Sequence, residues 1–224
     1  MQDYWQTLAL SFRLAALTTL LLLGIGTALA YWLAHSRSRL KPLTEALVGL
    51  PIVLPPTVLG FYLLLSFGPG TGLGRFLINT LGLSLNFTFA GILVGSLFYS
   101  LPFMVQPLQA GFERLPPGLA EAAATLGKSR WTTLWRVLLP NCKPALLSGI
   151  VLTFAHTIGE FGVVLMIGGN IAGQTRVASI AIYDAVESQH YRQANAYALL
   201  LVGLSLAMLL LLSWLTKRLA NRTA

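Results

Sequence analysis

Five long apolar segments divide the sequence and constrain its fold more than any other feature. Each is long enough to cross a hydrocarbon core of about 30 Å as a helix. Backbone amides in lipid need internal hydrogen-bond partners, and uninterrupted apolar runs lack the alternating pattern of barrel strands. The sequence therefore predicts an all-α polytopic membrane protein, a single transmembrane domain with about five transmembrane helices. These cover residues 14–34, 46–67, 87–108, 145–168 and 194–216.

The placement of the basic residues indicates how these segments cross the membrane. Only 10% of the 224 residues are charged, against roughly 25% in soluble domains, and the formal net charge is +8. Basic loops stay in the cytoplasm. We expect a multi-pass protein of the cytoplasmic (inner) membrane, in contact with lipid and not nucleic acid, with the N-terminus outside and the C-terminus in the cytoplasm. Three, five and three of the 15 basic residues follow the first, third and fifth segments: Arg37, Arg39, Lys41; Arg114, Lys128, Arg130, Arg136, Lys143; Lys217, Arg218, Arg222.

Prolines interrupt the second apolar segment. Pro51, Pro55 and Pro56 lie close together, and a proline inside a helix removes a backbone donor and bends the chain. Bent helices leave cavities, although proline and glycine are also generally commoner in membrane helices than in soluble ones. Pro55 and Pro56 are therefore candidate gate residues. The sequence also leaves open a short extra helix over residues 3–12 at the outer surface.

The polar segment 113–144 separates the third and fourth spans. Residues 118–126 are strong helix formers with prolines before them and Gly127 at the expected C-cap. Ser129 is placed to cap a second helix, residues 130–139, which we expect Pro140 to end. Such a hairpin suits insertion into a groove on another protein, but an ordinary interfacial hairpin has the same pattern. The second helix has a predicted apolar stripe formed by Trp131, Leu134, Trp135 and Leu138.

Part of this segment resembles the Glu-Ala-Ala loop of ABC importer permeases. The matching residues are Glu121, Ala122, Ala123 and Gly127, followed about a dozen residues later by Leu139 and Pro140. The resemblance implies a coupling helix that docks on a cytoplasmic ATP-binding subunit, with Glu121 as the loop glutamate.

The same segment contains a near match to a phosphate-binding loop. Gly127-Lys128-Ser129 has the end of that motif, but Ala122 stands where its first glycine belongs. We therefore expect this chain to bind no ATP and to be no enzyme. By the resemblance, two partner subunits use the ATP and Mg²⁺.

The fourth apolar segment contains two ionisable residues, His156 and Glu160. A charge inside the membrane is costly unless it faces protein or a water-filled cavity, so Glu160 is a candidate for the transport pathway or a structural tether. In a continuous helix the two residues lie on one face and can pair. Because a carboxylate is a poor ligand for an anion, we expect Glu160 to act in gating or helix packing.

A second resemblance narrows the family to the molybdate and sulfate group of these permeases, with molybdate the most similar. Its fourth-span part is Gly159, Glu160, Phe161 and Gly162, which are further gate candidates; its second-span part contains Pro55 and Pro56. Ala172 departs from the proline of the family pattern. The outer-loop candidates are Asn170, Gly173, Thr175 and Arg176.

This resemblance implies a mechanism and a set of partners. Two copies of the chain would form the pathway by alternating access, and an extracytoplasmic oxyanion-binding protein would dock outside. Arg75, Arg176 and Arg192 are placed to attract an anion to the outer mouth, or are ordinary loop charges; Arg176 is the preferred candidate, and Arg192 fits an ordinary loop charge better. Sulfate and tungstate permeases remain alternatives.

Two rival functions use other features. A proton-coupled secondary transporter would use His156 and Glu160, but five spans without an internal repeat fit it poorly. An intramembrane enzyme would need a catalytic pair or a metal-ligand cluster, and the sequence contains no recognisable one.

Overall fold

The computed structural model describes residues 2–220, and every regular element in that range is a helix. The predicted all-α class is therefore confirmed, while the basic residue Arg222 lies outside the described residues. In chain order the elements are α1 (Gln2–His35), α2 (Lys41–Val53), α3 (Pro56–Phe67), α4 (Gly72–Leu81), α5 (Phe89–Glu113), α6 (Gly118–Thr125), α7 (Arg130–Thr133), a π-helix (Leu134–Leu138), α8 (Leu139–Asn141), α9 (Lys143–Gly159), α10 (Gly162–Gly168), α11 (Ala178–Glu187) and α12 (Tyr191–Ala220).

The first helix, α1, is 34 residues long. The segment 3–12 is its first part and not a separate helix, because neither proline nor glycine interrupts residues 2–23. Leu22 and Leu33 are buried in a core shared with α5, and Leu14, nearer the N-terminus, is buried in a second core with Ile92. α1 therefore packs along the domain through both of its halves.

The membrane-crossing segments fall into continuous and interrupted types. The second predicted span, residues 46–67, is a bent pair: the direction of the chain changes by 112° between α2 and α3. The fourth, residues 145–168, is broken between α9 and α10, and α9 follows the 130–141 segment at a bend of 88°. Counting each bent pair once gives up to five candidate spans. Three helical stretches are long and apolar enough alone: Asp3–His35, Phe89–Glu113 and Tyr191–Arg218.

Close packing in the centre of the domain depends on small residues facing one methionine. A Cβ built on Gly26 of α1 would lie 2.8 Å from Met104 Cγ, and one on Gly149 of α9 would lie 3.0 Å from Met104 Sδ. Glycine at these two positions lets α1 and α9 approach α5 from two sides. Small residues commonly serve this purpose in membrane helices, where association depends on close van der Waals contact.

Elements at one end of the domain hold the beginning of α1 beside the beginning of α12. Residues of α11 and α12 share a small core with α1, formed by Leu8, Ala178, Ala181 and Tyr197. The helix α4 connects α3 to α5 and begins at Thr71, whose hydroxyl accepts a hydrogen bond from Gly74 N at 3.0 Å. α11 therefore braces the beginning of α1 against the beginning of α12.

Candidate functional site

The helix α6 presents the Glu-Ala-Ala residues at the surface. Glu121 and Ala122 are exposed, whereas Ala123 is buried against the domain. The helix ends at Thr125 and is followed at its C-terminal side by Gly127, which has a φ of +67° and whose amide donates to Ala124 O at 2.9 Å. Glycine adopts this left-handed conformation without strain, and it commonly ends helices in this way. The predicted two-turn helix with a glycine end is confirmed.

The second helix of the segment differs from the prediction. Ser129 does cap it, accepting from Thr132 N at 3.2 Å. However, α7 continues into the π-helix, in which Leu139 N donates to Leu134 O, and Pro140 lies inside α8 instead of ending the helix. The π-helix widens the helical turn just before Pro140, a residue that has no amide to donate to the preceding turn. The expected stop at Pro140 was therefore wrong.

The predicted apolar stripe of this helix divides into two faces. Leu134 and Leu138 are fully buried in the core with Phe112, while Trp131 is 62% exposed and Trp135 44% exposed. The buried leucines anchor the segment on α5. The exposed tryptophans leave an aromatic surface beside α6.

The break in the second span occurs at consecutive prolines. α2 ends with Leu54 N donating to Leu50 O at 3.0 Å, and Pro55 and Pro56 follow without amide donors. The chain resumes as α3 when Val58 N donates to Pro55 O at 2.9 Å. The predicted bend is confirmed. It amounts to 112°, and α2 and α3 are separate helices on its two sides.

The break in the fourth span falls at Glu160. α9 ends at Gly159, Glu160 has an extended ψ of 132°, and α10 starts at Gly162. Glu160 is 3% exposed, and neither of its carboxylate oxygens has a hydrogen-bond partner among the described residues. Its backbone oxygen accepts from the Ser179 hydroxyl of α11. The side chain is thus buried inside the domain at the point where the helix is interrupted.

His156 does not pair with Glu160. Its ring stacks on Phe103 with centroids 3.9 Å apart, and its Nδ1 lies 3.0 Å from Ser100 Oγ. Ser100 Oγ also lies 2.9 Å from Thr157 Oγ1. The expected pairing assumed a continuous helix, and the break after Gly159 removes that premise.

The two breaks lie against each other. A Cβ on Gly162 would come within 2.6 Å of Pro56 Cβ and 3.2 Å of Thr57 N. One turn further along α3, a Cβ on Gly60 would lie 2.7 Å from Met166 Cβ. The parts of the second and fourth spans that follow the breaks, α3 and α10, therefore form one closely packed pair. Phe161 lies beside this pair and contacts Tyr183 of α11, with ring centroids 5.1 Å apart.

The outer loop is organised by internal hydrogen bonds. Thr175 is fully buried, where its hydroxyl donates to Gly168 O at 2.7 Å and accepts from Ile171 N at 3.1 Å. Gly173 has a φ of +73°, which places it at the turn of this loop. These contacts give Thr175 a structural role within the loop.

Arg176 is not a free cation at the outer mouth. Its Nε donates to Asn170 Oδ1, while Asn170 Nδ2 donates to Asp184 Oδ1 at 2.9 Å. Arg176 Nη1 also lies 4.0 Å from Asp184 Oδ2. The aspartate offsets the positive charge that the sequence suggested for attracting anions. Sequence reasoning missed Asp184. This residue lies in α11, and the sequence does not show that its side chain meets Asn170 and Arg176, which precede that helix.

Comparisons with known proteins agree with this architecture. Residues 20–224 match the family model described as binding-protein-dependent transport system inner membrane component. The chain is 54% identical over 187 residues, 83% of its length, to the molybdenum transport system permease protein ModB of Azotobacter vinelandii, of which it covers 82%. It is 36% identical over 197 residues, 88% of its length, to the sulfate transport system permease protein CysT of Escherichia coli, of which it covers 71%.

A solved structure shares the fold. The crystal structure of a bacterial alginate ABC transporter in complex with an alginate pentasaccharide-bound periplasmic protein contains a similar chain. The match covers 98% of this chain and 80% of that chain, with a TM-score of 0.76. The two sequences are 18% identical. At this identity the likeness concerns the arrangement of helices alone.

Proposed function

The chain belongs to the family of binding-protein-dependent transport system inner membrane components, and from this premise we propose that it is the membrane-spanning permease of an ATP-driven molybdate importer. The observation that carries the cargo assignment is the 54% identity to a molybdenum transport permease over 83% of the chain. The 36% identity to a sulfate permease favours sulfate as the second candidate. Tungstate, a tetrahedral oxyanion like molybdate, is the remaining alternative.

Two cytoplasmic ATP-binding subunits supply the energy in this proposal. The exposed face of α6, with Glu121 and Ala122 outward and Ala123 inward, is suited to entering a groove on such a subunit. The neighbouring Trp131 and Trp135 add exposed apolar area beside it. ATP and Mg²⁺ are bound by the partner, since Ala122 occupies the position of an essential glycine in the near match to a phosphate-binding loop.

The transport pathway lies between two copies of the chain, and an extracytoplasmic oxyanion-binding protein delivers the cargo. This arrangement requires α6 in the cytoplasm and the 169–193 segment outside, with the N-terminus outside and the C-terminus inside. The excess of basic residues in and around the segment 113–144, which we call the coupling segment, supports that orientation.

Alternating access places the moving parts at the two helix breaks. Breaks at Pro55 and at Glu160 to Phe161 allow the closely packed α3 and α10 to change their angle to α2 and α9 without unfolding a continuous helix. ATP-driven closure of the partner subunits must favour one of two such arrangements, because coupling requires different contacts in the two states.

Reconstitution tests this function directly. The permease is co-expressed with its cytoplasmic ATPase, reconstituted into liposomes, and supplied with the oxyanion-binding protein and radiolabelled molybdate. We expect ATP-dependent uptake that unlabelled molybdate suppresses more strongly than sulfate does. Stronger suppression by sulfate would assign the sulfate alternative, and full uptake without any ATPase would overturn the proposal.

A further inference from the structure

Four polar side chains meet at the cytoplasmic ends of α2 and α5. Lys41 Nζ lies 3.7 Å from Glu45 Oε1 and 3.6 Å from Glu113 Oε1. Gln109 Nε2 donates to Glu45 Oε1 at 2.7 Å and to Glu113 Oε1 at 3.1 Å. Each of the two donors therefore contacts both carboxylates. We call these four residues the cytoplasmic clamp.

The clamp joins two parts of the chain that are distant in sequence. Lys41 is the first residue of α2, and Glu45 follows one turn later. Gln109 lies in the last turns of α5, and Glu113 is its final residue, directly before the segment that carries α6. The clamp thus connects the beginning of the broken second span to the helix that leads into the coupling segment.

An apolar core beneath the clamp joins the same two parts. Val48 of α2 is buried with Phe112 of α5 and with Leu134 of the π-helix, and Leu119 of α6 packs against this core. The polar and apolar contacts therefore act between the same elements. A movement of α6 relative to the membrane would therefore displace α2 through both the polar and the apolar contacts.

The second span contacts the fourth just after its bend. Past the bend, Pro56 and Thr57 touch Gly162, directly after the break at Glu160. The second span thus contacts the end of α5, which leads into the coupling segment, and it contacts the second helix break near its own middle. It is one connection between these two regions, beside the direct continuation of the chain through α9.

We propose that the cytoplasmic clamp is the tie that makes the broken second span follow the coupling segment during transport, with Lys41 and Gln109 as positioning residues. This inference rests on the proposed importer function. The clamp touches no cargo; it keeps the beginning of α2 on the end of α5, so that a displacement of the coupling segment is passed to the bend at Pro55.

The exposure of the clamp separates this role from a role in folding. The side chain of Lys41 is 28% exposed, and those of Glu45 and Glu113 are 39% and 44% exposed. Partly exposed ion pairs contribute little to folding stability. Loss of the clamp should therefore reduce coupling while the protein still folds and assembles with its ATPase.

The test measures molybdate transported per ATP hydrolysed in the reconstituted complex. Substitutions Lys41→Met and Gln109→Leu are each expected to lower this ratio about three- to tenfold, the range of modest coupling energies. The matched control is Arg39→Gln, an exposed basic position two residues from Lys41 that makes no ion pair or hydrogen bond through its side chain among the described residues. We expect the control to keep the wild-type ratio.

A charge exchange distinguishes the tie from a general loss of charge. In the double substitution Lys41→Glu with Glu113→Lys, a lysine at position 113 can still reach Glu45 and the new carboxylate, so the ratio should recover to within about twofold of wild type. Two results would overturn the inference: an unchanged ratio in Lys41→Met, or an assembled double variant with no recovery. Absence of ATP-dependent uptake in the wild-type complex would instead refute the importer function.

Discussion

Gly162 lies so close to Pro56 that a Cβ on the glycine would come within 2.6 Å of the proline Cβ. This contact joins the break in the fourth span to the break in the second. Both residues were candidates from the sequence, but their contact depends on the tertiary structure.

Substitution of Gly162 by alanine tests how tightly the two breaks fit. The added methyl group also meets Thr57 N at 3.2 Å, so backbone must move. Overpacking of this kind costs about 1–3 kcal/mol, and we expect a thermal midpoint several degrees lower in detergent together with reduced uptake. The control is Gly159→Ala, where a Cβ meets nothing within 4 Å. Equal behaviour of the two variants would contradict the close contact.

Gly127 tests the shape of the coupling segment. With φ at +67°, an alanine there is strained by roughly 1–2 kcal/mol, whereas Gly118 at the start of α6 has open space around it and no positive φ. We expect Gly127→Ala to reduce the fraction of ATPase that copurifies, and Gly118→Ala to leave it unchanged. Intermediate copurification is expected for Gly127→Asn, because asparagine tolerates this conformation better.

Glu121 tests the docking surface itself. It is exposed in the first turn of α6, where a negative charge interacts favourably with the helix dipole. Glu121→Lys should lower both copurification of the ATPase and transport-coupled ATP hydrolysis. Glu187→Lys, the same change on α11 at the outer end of the domain, should leave copurification intact. Unchanged coupling in Glu121→Lys would exclude α6 as the docking element.

His156 tests the rival of proton-coupled transport. Its ring stacks on Phe103 and contacts Ser100, and it has no bond to the Glu160 carboxylate. We expect His156→Gln to retain most ATP-driven uptake, and wild-type uptake to continue with an uncoupler present while ATP is maintained. Collapse of uptake under those conditions would favour the rival.

Cys142 reports on packing between the coupling segment and the core. Burial raises the pKa of its thiol to about 11, and it is 3% exposed. Because little of the thiol is ionised at pH 8, maleimide should label the native protein slowly, with a rate that rises with pH. The control is the same labelling in denaturant, where the thiol is exposed and the reaction should become rapid. Rapid labelling of native protein at pH 8 would show that this region opens.

Much of the coupling segment could be predicted from the sequence because its signals are local. The glycine end of α6 and the serine cap of α7 depend on residues a few positions apart, and both were correct. The exposure of Trp131 and Trp135 was not predicted, because the sequence cannot show that α5 offers space for Leu134 and Leu138 alone.

The candidate gate was predicted less completely. Consecutive prolines identify the second-span break, since neither has an amide to donate. No proline marks the break at Glu160, and a helix there was the reasonable expectation. Contacts with Pro56 and Ser179, distant in sequence, accompany the break in the folded domain.

The sequence by itself determined the all-α membrane class, the approximate positions of the spans and the capped coupling helix, because hydrophobic length, backbone hydrogen bonding and capping act over short stretches of chain. Only the tertiary structure decided that Arg176 meets Asp184, that Lys41 meets Glu113, and that the two helix breaks touch. Each of these depends on how separate helices approach one another, and that approach is set by packing across the whole domain.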